Sequence, residues 1–113
     1  MADFNRYDIL VGRVEYADGS GAKNRPAMVI RFDDEIIKVL RITSQYEGKS
    51  AAIQQQYFEI TDWFKAGLKK PSWIDTVRYY ELNKAQIKFT IIGKLSQRDI
   101  ERFKIFIRER LEQ

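Results

Sequence analysis

The chain contains no cysteine and no histidine among its 113 residues. The lack of cysteine excludes disulfide bonds and thiolate catalysis, and it favours a cytoplasmic location. The lack of histidine excludes a histidine general acid or base, a histidine-containing triad and an ordinary zinc site. Any chemistry must therefore use arginine, lysine, serine, threonine, tyrosine or carboxylate side chains.

Long apolar runs are also missing. Because no stretch is long and apolar enough to cross a bilayer, and no charged segment followed by an apolar one opens the sequence, we expect neither a membrane span nor a signal peptide. The length allows a single modest core. Composition does not shift along the chain, which predicts one domain over residues 1–113 with a loose terminus at residues 1–6.

The charge balance is basic but moderate. A formal net charge of +4 and a pI near 9.4 fit binding to nucleic acid, yet many basic proteins of other kinds share these values. Charge alone therefore leaves the ligand open.

The stretch from Asp18 to Arg25 is predicted to be a loop that ends at the edge of a sheet. Its glycines, Gly19 and Gly21, allow the loop to fold back at positive φ, and Pro26 can begin the next strand without a ladder hydrogen bond. The planar guanidinium of Arg25 suits phosphate. This combination indicates an anionic ligand.

Apolar and β-branched runs predict short strands, joined in one place by a tight hairpin at Asp33 and Asp34. Thr61 is expected to cap a short helix over Asp62 to Ala66 that Gly67 closes, and the polar stretch Glu81 to Lys84 is expected to link two strands. The predicted strands are Asp8 to Tyr16, Pro26 to Phe32, Glu35 to Thr43, Ala52 to Ile60, Ser72 to Tyr79 and Lys88 to Ile92.

The last predicted element is a helix that begins after Ser96. Ser96 is a capping residue, Asp99 is its capping-box partner, and apolar residues from Ile100 to Leu111 recur at helical spacing. Ile105 lies off this stripe, either as a lone exposed residue or in an interface. The pattern as a whole predicts a mainly β fold with helices: a small, strongly curved barrel with a short helix and a C-terminal helix.

Four segments together resemble the MazF/PemK (Kid-like) family of toxins from type II toxin-antitoxin systems. The resemblance covers roughly Tyr7 to Leu111 and rests on the order and spacing of the segments. They are Asn24 to Ile30, Ile42 to Ser44, Asp75 to Arg78 and Ile92 to Ser96.

The resemblance implies an SH3-like barrel that forms a homodimer. It implies an endoribonuclease that cleaves single-stranded RNA at short sequences, independently of ribosomes and metal ions, leaving a 2′,3′-cyclic phosphate and a 5′-hydroxyl. An acidic antitoxin would hold such a protein inactive.

Arg25 matches the family's loop arginine and Thr43 its threonine at the end of the third strand, the pair assigned to catalysis. Asp75 and Arg78 lie in the segment that carries the family's acidic and arginine signature. Asp75 could read a base edge or accept a proton, or it could form an ion pair with Arg78. The general base stays unassigned.

The other candidate substrate-binding residues are Lys23 and Asn24 in the loop, Ser44, Gln45 and Tyr46 after Thr43, and Trp73. Trp73 stands where some members have an arginine. It could stack on an unpaired base or belong to the core. Thr76 also replaces a common glutamine, and Ser20 to Ala22 depart from the family's loop, so these departures bear on substrate choice.

Two local alternatives remain open. Asp33, Asp34 and Glu35 could hold a divalent ion, although a hairpin turn explains them without one. Lys69 and Lys70 could touch phosphate or form a solvated loop. For function, the alternatives to an RNA-cleaving toxin are a non-catalytic RNA- or protein-binding module on the same barrel and a gyrase-poison-like toxin.

Overall fold

The computed structural model describes residues 5–15, 22–85 and 88–111. Within them, seven strands form one antiparallel sheet and two helices are present, as expected for a mainly β, small barrel-like fold with helices. The elements are β1 (Asp8–Glu15), β2 (Ala22–Phe32), β3 (Ile36–Thr43), α1 (Ala51–Gln54), β4 (Tyr57–Glu59), β5 (Trp73–Asp75), β6 (Tyr80–Asn83), β7 (Phe89–Lys94) and α2 (Gln97–Leu111).

The sheet branches at β3. The main strand order is β4-β5-β3-β2-β1-β7, and β6 also pairs with β3. Ile42 and Thr43 pair with β5, whereas residues Ile36 to Val39 pair with β6. The two ends of β3 therefore hold different strands, and Thr43 lies where β5 joins.

Side chains of the sheet pack into two apolar clusters. Successive residues of a strand point to opposite faces, and in β1 the fully buried Ile9 belongs to one cluster while the buried Leu10 belongs to the other. The first cluster also receives Ile100 and Phe103 of α2. In its described part β1 is therefore buried on both sides, and the apolar stripe of α2 packs against the sheet.

The segment predicted as a strand from Ala52 to Ile60 begins as a helix instead. The Ser50 hydroxyl accepts a hydrogen bond from the Ile53 N–H at 3.3 Å, so Ser50 caps α1, and the alanines that follow favour helix. Only Tyr57–Glu59 forms a strand.

The strand predicted over Ser72 to Tyr79 is shorter, and a second strand follows it. β5 ends at Asp75, whose carboxylate accepts the Val77 N–H at 2.9 Å in a local turn. The polar stretch predicted as a link contains most of β6, which pairs with β3. Its polar residues are compatible with a strand because the strand is only partly buried.

Residues 61–67 form a series of turns rather than the predicted helix. The Ala66 N–H donates to the Asp62 carbonyl at 3.0 Å, and the Leu68 N–H donates to the Trp63 carbonyl at 3.0 Å. Gly67 closes the segment at a φ of 92°, the positive φ that glycine permits.

Asp99 fastens this turn segment to α2. The Ser96 hydroxyl accepts the Asp99 N–H at 3.1 Å, which confirms Ser96 as the cap. The Asp99 carboxylate does not act as predicted for a capping box. It is fully buried and accepts the N–H groups of Thr61 at 3.2 Å and Asp62 at 2.7 Å. Arg102 balances its charge at 2.6 Å.

The turn segment also lies directly on β7, backbone against backbone. A Cβ atom at Gly93 would lie 2.0 Å from the Ala66 carbonyl oxygen, and one at Gly67 would lie 2.3 Å from the Ile92 carbonyl oxygen. Real Cβ atoms do not approach backbone this closely, so both glycines are required by the contact. This backbone contact fixes the position of Gly67 and therefore the starting point of the chain that follows it.

Of the terminus expected to be loose, residues 1–4 lie outside the described residues. The Arg6 Nε donates to the Ile30 carbonyl at 3.0 Å, and the Asn5 N–H donates to the Asp8 carboxylate at 2.8 Å.

We expect Gly93→Ala to destabilise the protein by about 1–3 kcal/mol, because the backbone of the turn segment must shift to admit the methyl group. Urea unfolding measures the change. Gly48→Ala is the matched control, since nothing lies within 4 Å of a Cβ at Gly48. Equal stability of the two variants would contradict the proposed contact.

The pKa of Asp62 is lowered by hydrogen bonds from Arg98 first and from Ser96 second. A lowered folded-state pKa stabilises the protein above the unfolded-state value of about 3.9, and the stabilisation is lost as pH falls through the folded-state value. We therefore expect wild type to be more stable than Asp62→Asn at neutral pH, and the difference to shrink below about pH 4. Chemical unfolding across pH measures it; a difference independent of pH would refute the linkage.

Candidate functional site

A groove of about 570 Å³ lies where β2, the end of β3, β7 and the chain after Gly67 meet. The first wall comes from β2, which supplies Asn24, Arg25 and Pro26. β2 begins at Ala22, so the prediction of a loop up to Arg25 and a strand from Pro26 is wrong in its boundary. Residues 18–21 of the predicted loop lie outside the described residues.

Pairing with β1 extends β2 on the N-terminal side of Pro26. Arg25 lies opposite Gly12 and Pro26 opposite Val11, whereas the register with β3 starts only at Ala27. Proline has no N–H, so it is tolerated where one edge of a strand needs no ladder bond. Arg25 is therefore a residue of a regular strand, and it lines the groove.

The end of β3 forms the second wall, with Thr43, Ser44 and Gln45. The Thr43 hydroxyl oxygen accepts the Gln45 N–H at 3.0 Å, a local turn that threonine commonly forms at the end of a strand. A hydroxyl can accept and donate at once, so the Thr43 O–H can still donate. The groove thus brings together five predicted site residues: Asn24, Arg25, Thr43, Ser44 and Gln45.

A third wall, which the sequence left undecided, is formed by Lys69 and Lys70. Buried Leu68 anchors the chain before them. After them, the Ser72 hydroxyl donates to the Lys70 carbonyl at 2.9 Å, and the Ser72 carbonyl accepts the Ile60 N–H at 3.1 Å. The feature of the sequence that could have indicated this wall is Gly67 followed by the apolar Leu68.

The charges around the groove have one sign. Arg25, Lys69 and Lys70 line it, and none of the described lining residues is acidic. Val11, Ile42 and Ile92 add apolar surface. A concave site lined by cations attracts polyanions.

Asp75 is outside this groove and is engaged in an ion pair. Its carboxylate lies 2.7 Å from the Arg41 guanidinium, which also donates to the Tyr57 hydroxyl at 3.3 Å. The alternative in which Asp75 forms an ion pair with Arg78 is therefore wrong, because the partner of Asp75 is Arg41. Arg78 instead donates from Nε to the Tyr80 hydroxyl at 3.1 Å.

Tyr46 and Trp73 form a stacked pair beside the groove. Their ring centroids are 4.7 Å apart with 8° between the planes, and both side chains are half-buried. Trp73 is the register partner of Thr43, and Tyr46 follows Gln45. The pair therefore lies next to the wall formed by the end of β3.

Thr76 has a structural partner rather than a place in the groove. Its hydroxyl donates to the Gln56 carbonyl at 2.5 Å and accepts from Arg110 near the end of α2. It ties the last turns of α2 to the chain that precedes β4.

Lys23 pairs with Val14 in the sheet, but its side chain lies outside the described residues.

Asp33 caps its own hairpin by accepting the N–H groups of Glu35 and Ile36, both at 2.8 Å. Within the described ranges, no group of three acidic, histidine or cysteine side chains could hold a metal ion. Neither described helix has the length and apolar character that crossing a membrane requires.

Comparison with known proteins identifies one family. Comparison with curated proteins finds no match. The family described as PemK-like, MazF-like toxin of type II toxin-antitoxin system matches residues 5–111, which include every described element and the whole groove. The match confirms the resemblance inferred from the sequence, and the chain belongs to the PemK-like, MazF-like toxins of type II toxin-antitoxin systems.

Proposed function

We propose that this toxin is an endoribonuclease that cleaves single-stranded RNA in the groove. The observation that carries the proposal is the meeting of Arg25 and Thr43, from two neighbouring strands, in a groove that three cationic side chains line. A phosphodiester chain supplies the matching negative charge, and an unpaired strand can enter a groove open to solvent.

In the proposed reaction the ribose 2′-hydroxyl attacks the adjacent phosphorus, and the bond from phosphorus to the 5′-oxygen breaks. Negative charge grows on the non-bridging oxygens during the attack, and the Arg25 guanidinium stabilises it with charged hydrogen bonds. The Thr43 hydroxyl can hold a phosphate oxygen or orient the 2′-hydroxyl. The products are a 2′,3′-cyclic phosphate and a free 5′-hydroxyl, without a metal ion.

Polar residues around the phosphate would select the RNA. Asn24, Ser44 and Gln45 carry donors and acceptors that can meet base edges or the sugar, and we propose Lys23 as a further RNA contact because it precedes Asn24 in the chain. We assign Asp75 a supporting role, because Arg41 and the Val77 N–H engage its carboxylate. Arg78 remains a candidate RNA contact through its exposed position.

Membership of a type II toxin-antitoxin family implies an antitoxin partner. We propose that this partner is acidic, because the chain carries a net charge of +4 and opposite charge speeds association. We further propose that the toxin acts as a homodimer of single-domain chains with an SH3-like barrel, and that it works in the cytoplasm, where its RNA substrate is found.

We expect Arg25→Ala to reduce the rate of RNA cleavage by about 10²–10³-fold, the loss typical when one group that stabilises developing charge is removed. Purified protein is incubated with a random pool of single-stranded RNA, and the ends are mapped and chemically identified. Arg31→Ala is the matched control, since Arg31 is an exposed arginine of the same strand that does not line the groove.

Wild-type cleavage that leaves 3′-phosphate or 5′-phosphate ends as primary products would overturn the proposed chemistry. Equal activity of Arg25→Ala and Arg31→Ala would overturn the role of Arg25. If wild type binds RNA but leaves all of the pool intact, the protein is a binding module, the second candidate function, which the aromatic pair beside the groove favours.

We expect Trp73→Ala to weaken binding of a non-cleavable 2′-O-methyl RNA by about 5- to 150-fold, because stacking of a base on an aromatic ring contributes about 1–3 kcal/mol. Trp73→Phe should keep most of the affinity. Fluorescence supplies a second readout: in Trp63→Phe, Trp73 is the sole tryptophan and should be quenched by RNA. Unchanged affinity of Trp73→Ala would assign Trp73 to packing against Tyr46 alone.

A further inference from the structure

We propose that the pair Lys69–Lys70 supplies the general acid of the cleavage reaction, with one of the two ammonium groups protonating the 5′-oxygen as it leaves. The inference rests on the proposed ribonuclease function and adds a catalytic group to the same groove.

The need for such a group follows from the chemistry. An alkoxide is a poor leaving group in water, and a positioned acid typically accelerates such a step by about 10²–10⁴-fold. Arg25 cannot readily fill this role, because a guanidinium holds its proton too tightly. Among the described lining residues there is no carboxylic acid, and the chain has no histidine.

The lysines are the remaining charged donors in the groove. Each ammonium group carries three N–H donors, and lysine, unlike arginine, is able to give up a proton in catalysis. Ser44, Ser72 and Thr43 also line the groove, but neutral hydroxyls are much weaker acids. The composition of the described lining therefore points to Lys69 or Lys70.

The chain that carries the lysines is held at both ends. Before them, Gly67 packs on the backbone of β7 and Leu68 is buried. After them, Ser72 is buried, and its hydroxyl bonds back to the Lys70 carbonyl. Pro71 further limits the backbone because its ring restricts φ. Only three residues separate the two buried anchors, so the backbone that carries both lysines is fixed where they line the groove.

The proton balance of the step is complete with water. The 2′-hydroxyl oxygen forms a bond to phosphorus and its proton passes to solvent water. The bond between phosphorus and the 5′-oxygen breaks, and that oxygen takes a proton from the lysine ammonium group. The neutral amine then regains a proton from solvent.

A substrate with sulfur in place of the bridging 5′-oxygen tests the assignment. A thiolate leaves without protonation, so loss of the acid should not slow its departure. The substrate is an oligonucleotide with one ribonucleotide at the mapped cleavage position, followed by either the 5′-oxygen or the 5′-sulfur linkage. The proteins are wild type, Lys69→Gln, Lys70→Gln and the control Lys65→Gln, an exposed lysine of the turn segment that does not line the groove.

We expect one of the two groove variants to lose about 10²–10⁴-fold in kcat on the oxygen substrate and to match wild type on the sulfur substrate. Lys65→Gln should match wild type on both. Equal losses on both substrates would reduce the lysines to phosphate binding and overturn the proposal, as would no loss in either groove variant. Absence of any cleavage by wild type in the mapping of the RNA pool would overturn the proposed function itself, a result separable from failure of the lysine assignment alone.

Discussion

The contact between two stretches of bare backbone, Ala66–Gly67 on Ile92–Gly93, is the constraint on which the rest of the structure depends. It has no room for a Cβ atom on either side. By seating the turn segment on β7, it brings the third wall of the groove to the end of β3, and Asp99 holds the other end of that segment through two backbone N–H groups. These two contacts bring together elements that are distant in sequence and do not themselves use a groove side chain.

Three acidic side chains form ion pairs outside the cationic groove. Asp75 is bound to Arg41, Asp99 to Arg102 and Asp62 to Arg98, at distances of 2.5–2.7 Å. None of these three ion pairs involves a residue that lines the groove. The described lining is cationic and contains no carboxylate, which suits the phosphodiester substrate proposed above.

The fold could be predicted largely from local patterns, but the details of the site could not. The apolar alternation of β1, the Asp33 turn and the Ser96 cap each act within a few residues, so their sequences were sufficient. Ala52 and the stretch from Glu81 to Lys84 were misassigned because a cap at Ser50 and pairing with β3 decided their structure. Arg25 was identified from the loop pattern and Thr43 from the family resemblance, whereas the third wall depends on the glycine contact with β7, which joins residues more than twenty positions apart.

The ion pair between Arg41 and Asp75 affects the register of β5. β5 has three residues, and two of its pairs with β3 are Ile42 with Ile74 and Thr43 with Trp73. A slip of one residue would turn every side chain of β5 to the opposite face, and so short a ladder opposes it weakly. A slip would also pull Asp75 away from Arg41 and Ile74 out of the core. The charged pair therefore favours the register in which Trp73 lies opposite Thr43.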